Sequence, residues 1–226
     1  MKSVVLEHRR IDGVRGLAFG VHLSEKEPVA WTRAGQHMTL LIIGIILFLG
    51  VHLLPALSDS RRSLIDQMGE EGYRALFSVL SLIGFVLIVW GFANAPVIQV
   101  WSPPNWTRYV AMVMMVPVFI LLIAAYVPGQ IKAKVKHPFL VAIKTWALAH
   151  LIANGDLASI VLFGSFLAYA VFDRIALKHR PAAGHMALAE TGPVRNDVIA
   201  VVGGLILYVV FLVWLHPLLI GTSPLP

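Results

Sequence analysis

Residues 75–98 read ALFSVLSLIGFVLIVWGFANAPVI, an unbroken run with no charged side chain. A helix needs about 20 apolar residues to cross a ~30 Å hydrocarbon core, because its own backbone hydrogen bonds are the only ones available in lipid. The run is therefore read as a membrane span. Working outward, five more stretches qualify: 38–57, 109–127, 138–155, 157–172 and 198–221. Together the six contain no Asp, Glu or Arg and a single Lys, and they fill more than half of the 226 residues. The fourth and fifth are separated only by Asp156 beside Gly155, the pattern of a tight helical hairpin. The expected fold is all-α, a polytopic membrane helix bundle of about six transmembrane helices.

Composition agrees with this reading. Apolar residues make up 58% and charged residues 13%, against ~45–50% and ~25% in an average soluble domain, and the mean hydropathy is +0.79. The absence of Cys excludes disulfides, thiolate zinc sites, iron–sulfur clusters and covalently attached c-type haem. Any metal chemistry must then use His, Asp or Glu. No histidine set of a di-iron desaturase, no H-E-x-x-H, no G-x-S-x-G and no phosphate loop occurs, which argues against hydrolysis and nucleotide chemistry. The formal charge of +6 lies in short loops between apolar runs. That distribution suits anionic lipid headgroups, so the lipid bilayer is the expected partner and nucleic acid is not.

The charge also orients the chain. Arg61, Arg62 and Arg74, then Lys132, Lys134 and Lys136, then Arg174, Lys178, Arg180 and Arg195 occupy alternate connections. The intervening ones hold only Arg108. By the positive-inside rule the basic loops are expected in the cytoplasm and the C-terminus on the outer side of the membrane. Residues 1–37 disagree, since Lys2, Arg9, Arg10, Arg15, Lys26 and Arg33 fall on the outer side in this orientation. They are read as a disordered or non-native extension preceding the membrane domain, with an interfacial amphipathic helix over 4–21 as the alternative. No apolar core of signal-peptide length precedes the first span. The expected organisation is thus 1–37 as extension, 38–180 as a membrane domain of five spans, and 181–226 as a basic linker and final span.

Histidines carry the candidate chemistry. His8, His22, His37, His179 and His185 lie in polar ends or the basic linker, whereas His52, His137, His150 and His216 lie in or against the apolar runs. An imidazole at lipid depth costs solvation free energy unless it is hydrogen-bonded, metal-bound or facing a wet cavity. With a rise of 1.5 Å per residue, His52 falls about 21 Å from the outer start of its span and His150 about 18 Å from the inner start of its own. The two are then offset by about 9 Å across the midplane of a ~30 Å core, a gap that one planar cofactor can bridge. Haem b suits this, with neutral imidazoles as axial ligands and no Cys needed. The bland alternative for each imidazole is a helix-to-helix hydrogen bond.

The neighbouring residues fit either reading. Gly44, Phe48 and His52 follow at four-residue steps, as do Trp146, His150 and Asn154, so one stripe offers a stacking ring, a ligand and a hydrogen-bond partner. His137, before Pro138 at the start of the fourth span, has a structural place at the interface and is the alternative partner of His52. Lys144, the sole cation within the spans, is expected to snorkel to the boundary or meet Asp173, with a haem propionate as the functional alternative. His216-Pro217 is read as interfacial. An echo links Val51-His52-Leu53-Leu54-Pro55-Ala56 with Ala149-His150-Leu151-Ile152-Ala153-Asn154, as in an inverted repeat.

Two runs of residues resemble a known family. Phe48-Leu49-Gly50-Val51-His52-Leu53-Leu54-Pro55-Ala56, followed by Gly69-Glu70, Tyr73-Arg74 and Phe77-Ser78, is similar to the opening of the NnrU family. Pro128-Gly129-Gln130-Ile131-Lys132, His137-Pro138 and the run from Trp146 through His150, Asn154, Gly155 and Asp156 to Ser159 resemble its most recognisable block. The resemblance runs from Met38 to about Arg180, and the final span is only loosely matched. It implies a multi-pass protein of the bacterial inner membrane associated with nitrite and nitric oxide reduction in denitrification. A related branch, the 15-cis-zeta-carotene isomerase, is an integral membrane enzyme that uses haem b. By motif position its ligands fall on His52 and His150, with His137 as a neighbouring family histidine. The histidine-rich end of its fifth span has no equivalent, since Ala168-Tyr169-Ala170 stand there.

These readings combine into one expectation and two rivals. The expectation is a membrane protein binding non-covalent haem b through His52 and His150, with His137, Lys144 and Trp146 around the cofactor, acting on nitric oxide or in nitrite and nitric oxide metabolism. The first rival is a haem-dependent cis–trans isomerase of a lipophilic carotenoid. The second is a cofactor-free transporter or assembly factor.

Overall fold

The computed structural model describes residues 28–56, 58–179 and 192–225. Residues 1–27, with His8, His22 and the helix considered over 4–21, lie outside the described residues, as does His185. Among the described residues the chain is helical, and an isolated bridge between Gln99 and Asp156 is the nearest approach to a sheet.

Helix α1 (Pro28–Leu53) starts ten residues before Met38 and ends in a 3-10 turn, Leu54–Ala56. Helix α2 (Ser58–Asn94) kinks at Gly69, whose φ of 76° and ψ of 166° only glycine adopts without strain. Helix α3 (Thr107–Tyr126) is followed by the short α4 (Gln130–Val135). Helix α5 (Pro138–Ala153) opens with Pro138 in its first turn, where a missing N–H costs nothing. Helices α6 (Leu157–His179) and α7 (Val194–Val210) follow, and α7 runs through a π-helical turn, Phe211–Leu215, into α8 (His216–Ile220).

Five of these helices are long and apolar enough to cross a membrane: Gly35–Leu53, Ser60–Asn94, Thr107–Tyr126, Leu157–Leu177 and Val194–Ile220. The sixth expected span, α5, has 16 residues and extends only about 24 Å. It lies between α3 and α6, and its Ala142, Ala147 and Ala149 are wholly buried. Alanines let neighbouring backbones approach closely, which is how helices associate where lipid is as apolar as the side chains.

Packing sets the six in a row. Helix α2 lies along α1, α1 reaches the rest through α6, α6 pairs with α5, α5 with α3, and α3 with α7. A Cβ at Gly84 would stand 2.8 Å from the backbone nitrogen of Phe48, so this glycine brings α2 hard against α1 one turn before His52. The core centres on Leu41, Ile45 and Leu49 of α1, Ile88 of α2, Ala147 of α5, and Ala158, Leu162 and Phe163 of α6. Outside it, Val79, Leu82, Phe85, Val86 and Val89 of α2 and Val198, Val202, Leu205, Ile206 and Val209 of α7 are exposed. Surfaces this apolar face lipid.

The alternating helices sort the connections by end. One end carries the kink of α2, α4, the start of α5, the end of α6 and the start of α7, and with them Arg74, Lys132, Lys134, Lys136, Arg174 and Arg195, while Arg108 lies at the other. At the other end the 95–106 segment is stapled to the α5–α6 turn. Val100 and Trp101 donate their N–H groups to the Gly155 carbonyl at 2.8 and 3.1 Å, and Leu157 donates to Ile98 at 2.8 Å. Asp156 then caps α6 by accepting the Ser159 N–H at 2.9 Å. The internal echo is local only: α1 and α5 both pack on α6, but α2 and α5 share no interface of the kind a repeat relating the halves requires.

Candidate functional site

His52 and His150 sit near the C-terminal ends of α1 and α5, each four residues after an aromatic whose carbonyl it meets. The Nδ1 of His52 lies 2.7 Å from the Phe48 carbonyl oxygen, and that of His150 lies 2.8 Å from the Trp146 carbonyl oxygen. A carbonyl only accepts, so Nδ1 carries the proton in both rings and Nε2 keeps its lone pair. Fixing the tautomer through a backbone carbonyl is what orients an imidazole for metal ligation.

Aromatic walls hold both rings. His52 is stacked on Phe48, centroids 4.2 Å apart and planes 29° from parallel, with Phe77 of α2 at 5.1 Å. His150 is stacked on Phe163 of α6 at 4.5 Å and 27°, with Trp146 at 5.5 Å. Asn154 closes the end of α5, its side-chain amide and its N–H both reaching the His150 carbonyl at 2.9 and 2.8 Å.

The packing does not set the two imidazoles face to face. Phe48 of α1 is 5.9 Å from Phe166 of α6, which stands edge-on to Trp146 of α5 at 5.5 Å, so these rings fill the way from His52 to His150. Their levels also differ. His52 is beside Phe77, whereas the Phe163 under His150 meets Phe92 at 6.3 Å. The ring contacts run from His52 through Phe48, Phe166 and Trp146 to His150, so three aromatics stand between the two imidazoles. Metal–imidazole bonds are about 2 Å long, so two rings sharing one iron must oppose each other across about 4 Å. His52 and His150 are not in direct contact: α6 packs on both α1 and α5, and its Phe166 bridges Phe48 and Trp146.

The other expected site residues are scattered. Trp146 is at His150, as its spacing implied. His137 is the N-cap of α5 at the basic end, where burial and then the neighbouring Arg174 lower its pKa below the ordinary histidine value. Lys144 is half-buried on α5, and the helical turn sets it about 160° from Trp146 and about 120° from His150. It therefore does not share the face of the proposed ligand. Among the described residues the ion pairs are those of Arg74 with Glu70 and Glu71, so the pair expected between Lys144 and Asp173 is not formed. No group of three or more His, Asp or Glu among the described residues is placed to hold a metal ion.

One polar contact escapes any reading of spacing. Asp197, in the first turn of α7, accepts the N–H groups of Gln130 and Ile131 at 3.0 and 2.9 Å and so caps α4 from 67 and 66 residues away. The Pro128-Gly129-Gln130 block is thus a docking element for the last span, and the only sequence signal was an acidic residue in an otherwise basic region.

Comparison with known proteins gives one match. No curated protein and no solved structure matches the chain. The family model described as NnrU protein matches residues 40–224, taking in all six apolar helices, both imidazoles and the final span that the resemblance reached only loosely. The chain belongs to the NnrU family.

Proposed function

We propose that this protein is an integral membrane haem b protein of nitrite and nitric oxide metabolism, in which His52 and His150 are the residues that would hold the haem. The observation that carries the reading is the shared local geometry of the two rings: Nδ1 tied to the carbonyl four residues back, Nε2 free, and an aromatic ring stacked on one face. When bound, a haem iron supplies one-electron chemistry and an affinity for diatomic ligands such as nitric oxide. The chain's part is to aim each imidazole through its Nδ1 contact with the carbonyl four residues back, and to keep water away with Phe48, Phe77, Trp146 and Phe163.

A visible spectrum tests this directly. The protein purified in mild detergent should show a Soret band that shifts on reduction with dithionite. His52→Ala and His150→Ala should each lower the haem content per chain, while His185→Ala should not. A colourless preparation from haem-replete cells, or equal loss in all three variants, overturns the reading.

A further inference from the structure

We propose that the Tyr73 hydroxyl and the Arg61 guanidinium form a seat for an anionic oxygen group, a haem carboxylate or a lipid phosphate, at the basic end of the bundle beside His52. The seat does not depend on the haem reading above, since either source supplies the same chemistry.

Tyr73 is the first support. It is 7% exposed, and among the described residues its buried hydroxyl has no hydrogen-bond partner. A buried hydroxyl without an acceptor is costly, so one left in this state points to an acceptor that arrives from outside the chain. The Ser81 hydroxyl is unpaired as well, but a serine can turn to the carbonyl four residues back in its own helix. A phenol oxygen stands too far from its own backbone for that. Glu70 and Glu71, the acidic residues just before Tyr73, are turned to Arg74 at 2.7 and 3.3 Å.

Arg61 supplies the charge. Its Cζ lies 5.6 Å from the centre of the Tyr73 ring, although twelve residues of straight helix would hold the two about 18 Å apart. The non-helical backbone at Gly69, with φ 76° and ψ 166°, folds the first part of α2 back toward the second and makes this contact possible. A guanidinium held against an aromatic face keeps N–H donors for an oxygen acid. Arg61 is exposed, so it can swing to meet an anion without disturbing the core.

The seat lies where α2 enters the 75–98 span, the depth at which basic groups attract anionic headgroups. Phe77, one turn further on, meets both neighbouring rings, His52 at 5.1 Å and Tyr73 at 6.3 Å. The seat therefore also borders the imidazole offered to haem.

The test is binding by the full chain in a zwitterionic detergent, read by the thermal midpoint and, for haem, by titration of the Soret band. Two pairs of probes separate the sources: haem against its dimethyl ester, which has no free carboxylate, and phosphatidylglycerol against phosphatidylcholine. The wild type should prefer the anionic member of at least one pair by about tenfold, and Tyr73→Phe and Arg61→Gln should each remove most of that preference. Arg74→Gln, which takes the same charge from an arginine already paired, should keep it. With no probe added, Tyr73→Phe should raise the thermal midpoint by about 2–4 °C, because the orphaned hydroxyl is gone. A preference in the haem pair names the carboxylate as the occupant, and one in the lipid pair names the phosphate. No preference in either pair, or one that survives Tyr73→Phe, overturns the seat. A chain that takes up no haem, yet prefers phosphatidylglycerol and loses that preference in Tyr73→Phe, overturns the haem reading and leaves the seat standing.

Discussion

His150 of α5 lies flat on Phe163 of α6, their ring centroids 4.5 Å apart, although the two residues belong to opposite arms of a hairpin. Phe163 is also buried in the core against Trp146 and Phe92. A single ring thus serves as the floor of the candidate ligand and as the contact joining α2, α5 and α6.

Phe163→Ala should therefore destabilise the bundle by about 3 kcal/mol, the usual loss for a deleted buried aromatic, and release the His150 ring. Unfolding in a detergent titration measures the first effect, and the haem content of the same preparation measures the second. Phe163→Leu should recover most of the stability without restoring the stacked geometry.

Asp197→Ala leaves the N–H groups of Gln130 and Ile131 without their acceptor. Charge-assisted bonds of this kind contribute about 1.5–3 kcal/mol. The expected outcome is release of α4, read as faster tryptic cleavage after Lys132, Lys134 and Lys136. Asp197→Asn should fall between the two, since an amide keeps one acceptor and loses the charge.

Gly69→Ala puts a Cβ at a φ of 76° and ψ of 166°, at a cost of about 1–3 kcal/mol. The variant should lower the thermal midpoint while leaving α1 packed on the second part of α2. Cross-linking between cysteines introduced at Ile45 of α1 and Ile88 of α2, which share the core, should proceed as in the same cysteine pair on the parent background.

His137 gives a pH dependence with a definite sign. Its folded pKa is lowered below 6.5 by burial and by Arg174, so the unfolded chain takes up the proton first as pH falls. Stability from this group is full above pH 6.5, drops as pH falls toward the folded pKa, and is flat below it. His137→Gln should flatten that part of a plot of unfolding midpoint against pH between 5 and 8, and an unchanged slope refutes the assignment.

Much of the architecture was legible in the order of residues, and for a physical reason. Lipid offers the backbone no hydrogen bonds, so apolar length alone marks 75–98, 109–127 and 198–221 as spans. Asp156 and Pro138 mark helix starts by local rules, as a cap and a first-turn proline, and the four-residue spacing of Trp146 and His150 places them on one face. The insertion of α6 between the helices of His52 and His150 depends on contacts that no local pattern encodes.

The sequence by itself determined the class, the helices and the local geometry of each imidazole, since all of these follow from interactions within a few residues along the chain. Only the tertiary structure decided that Asp197 caps α4 through the N–H groups of Gln130 and Ile131. Those pairings join residues about 67 positions apart, and they are set by how aromatic rings and alanines interlock across a bundle in which lipid favours no helix over another.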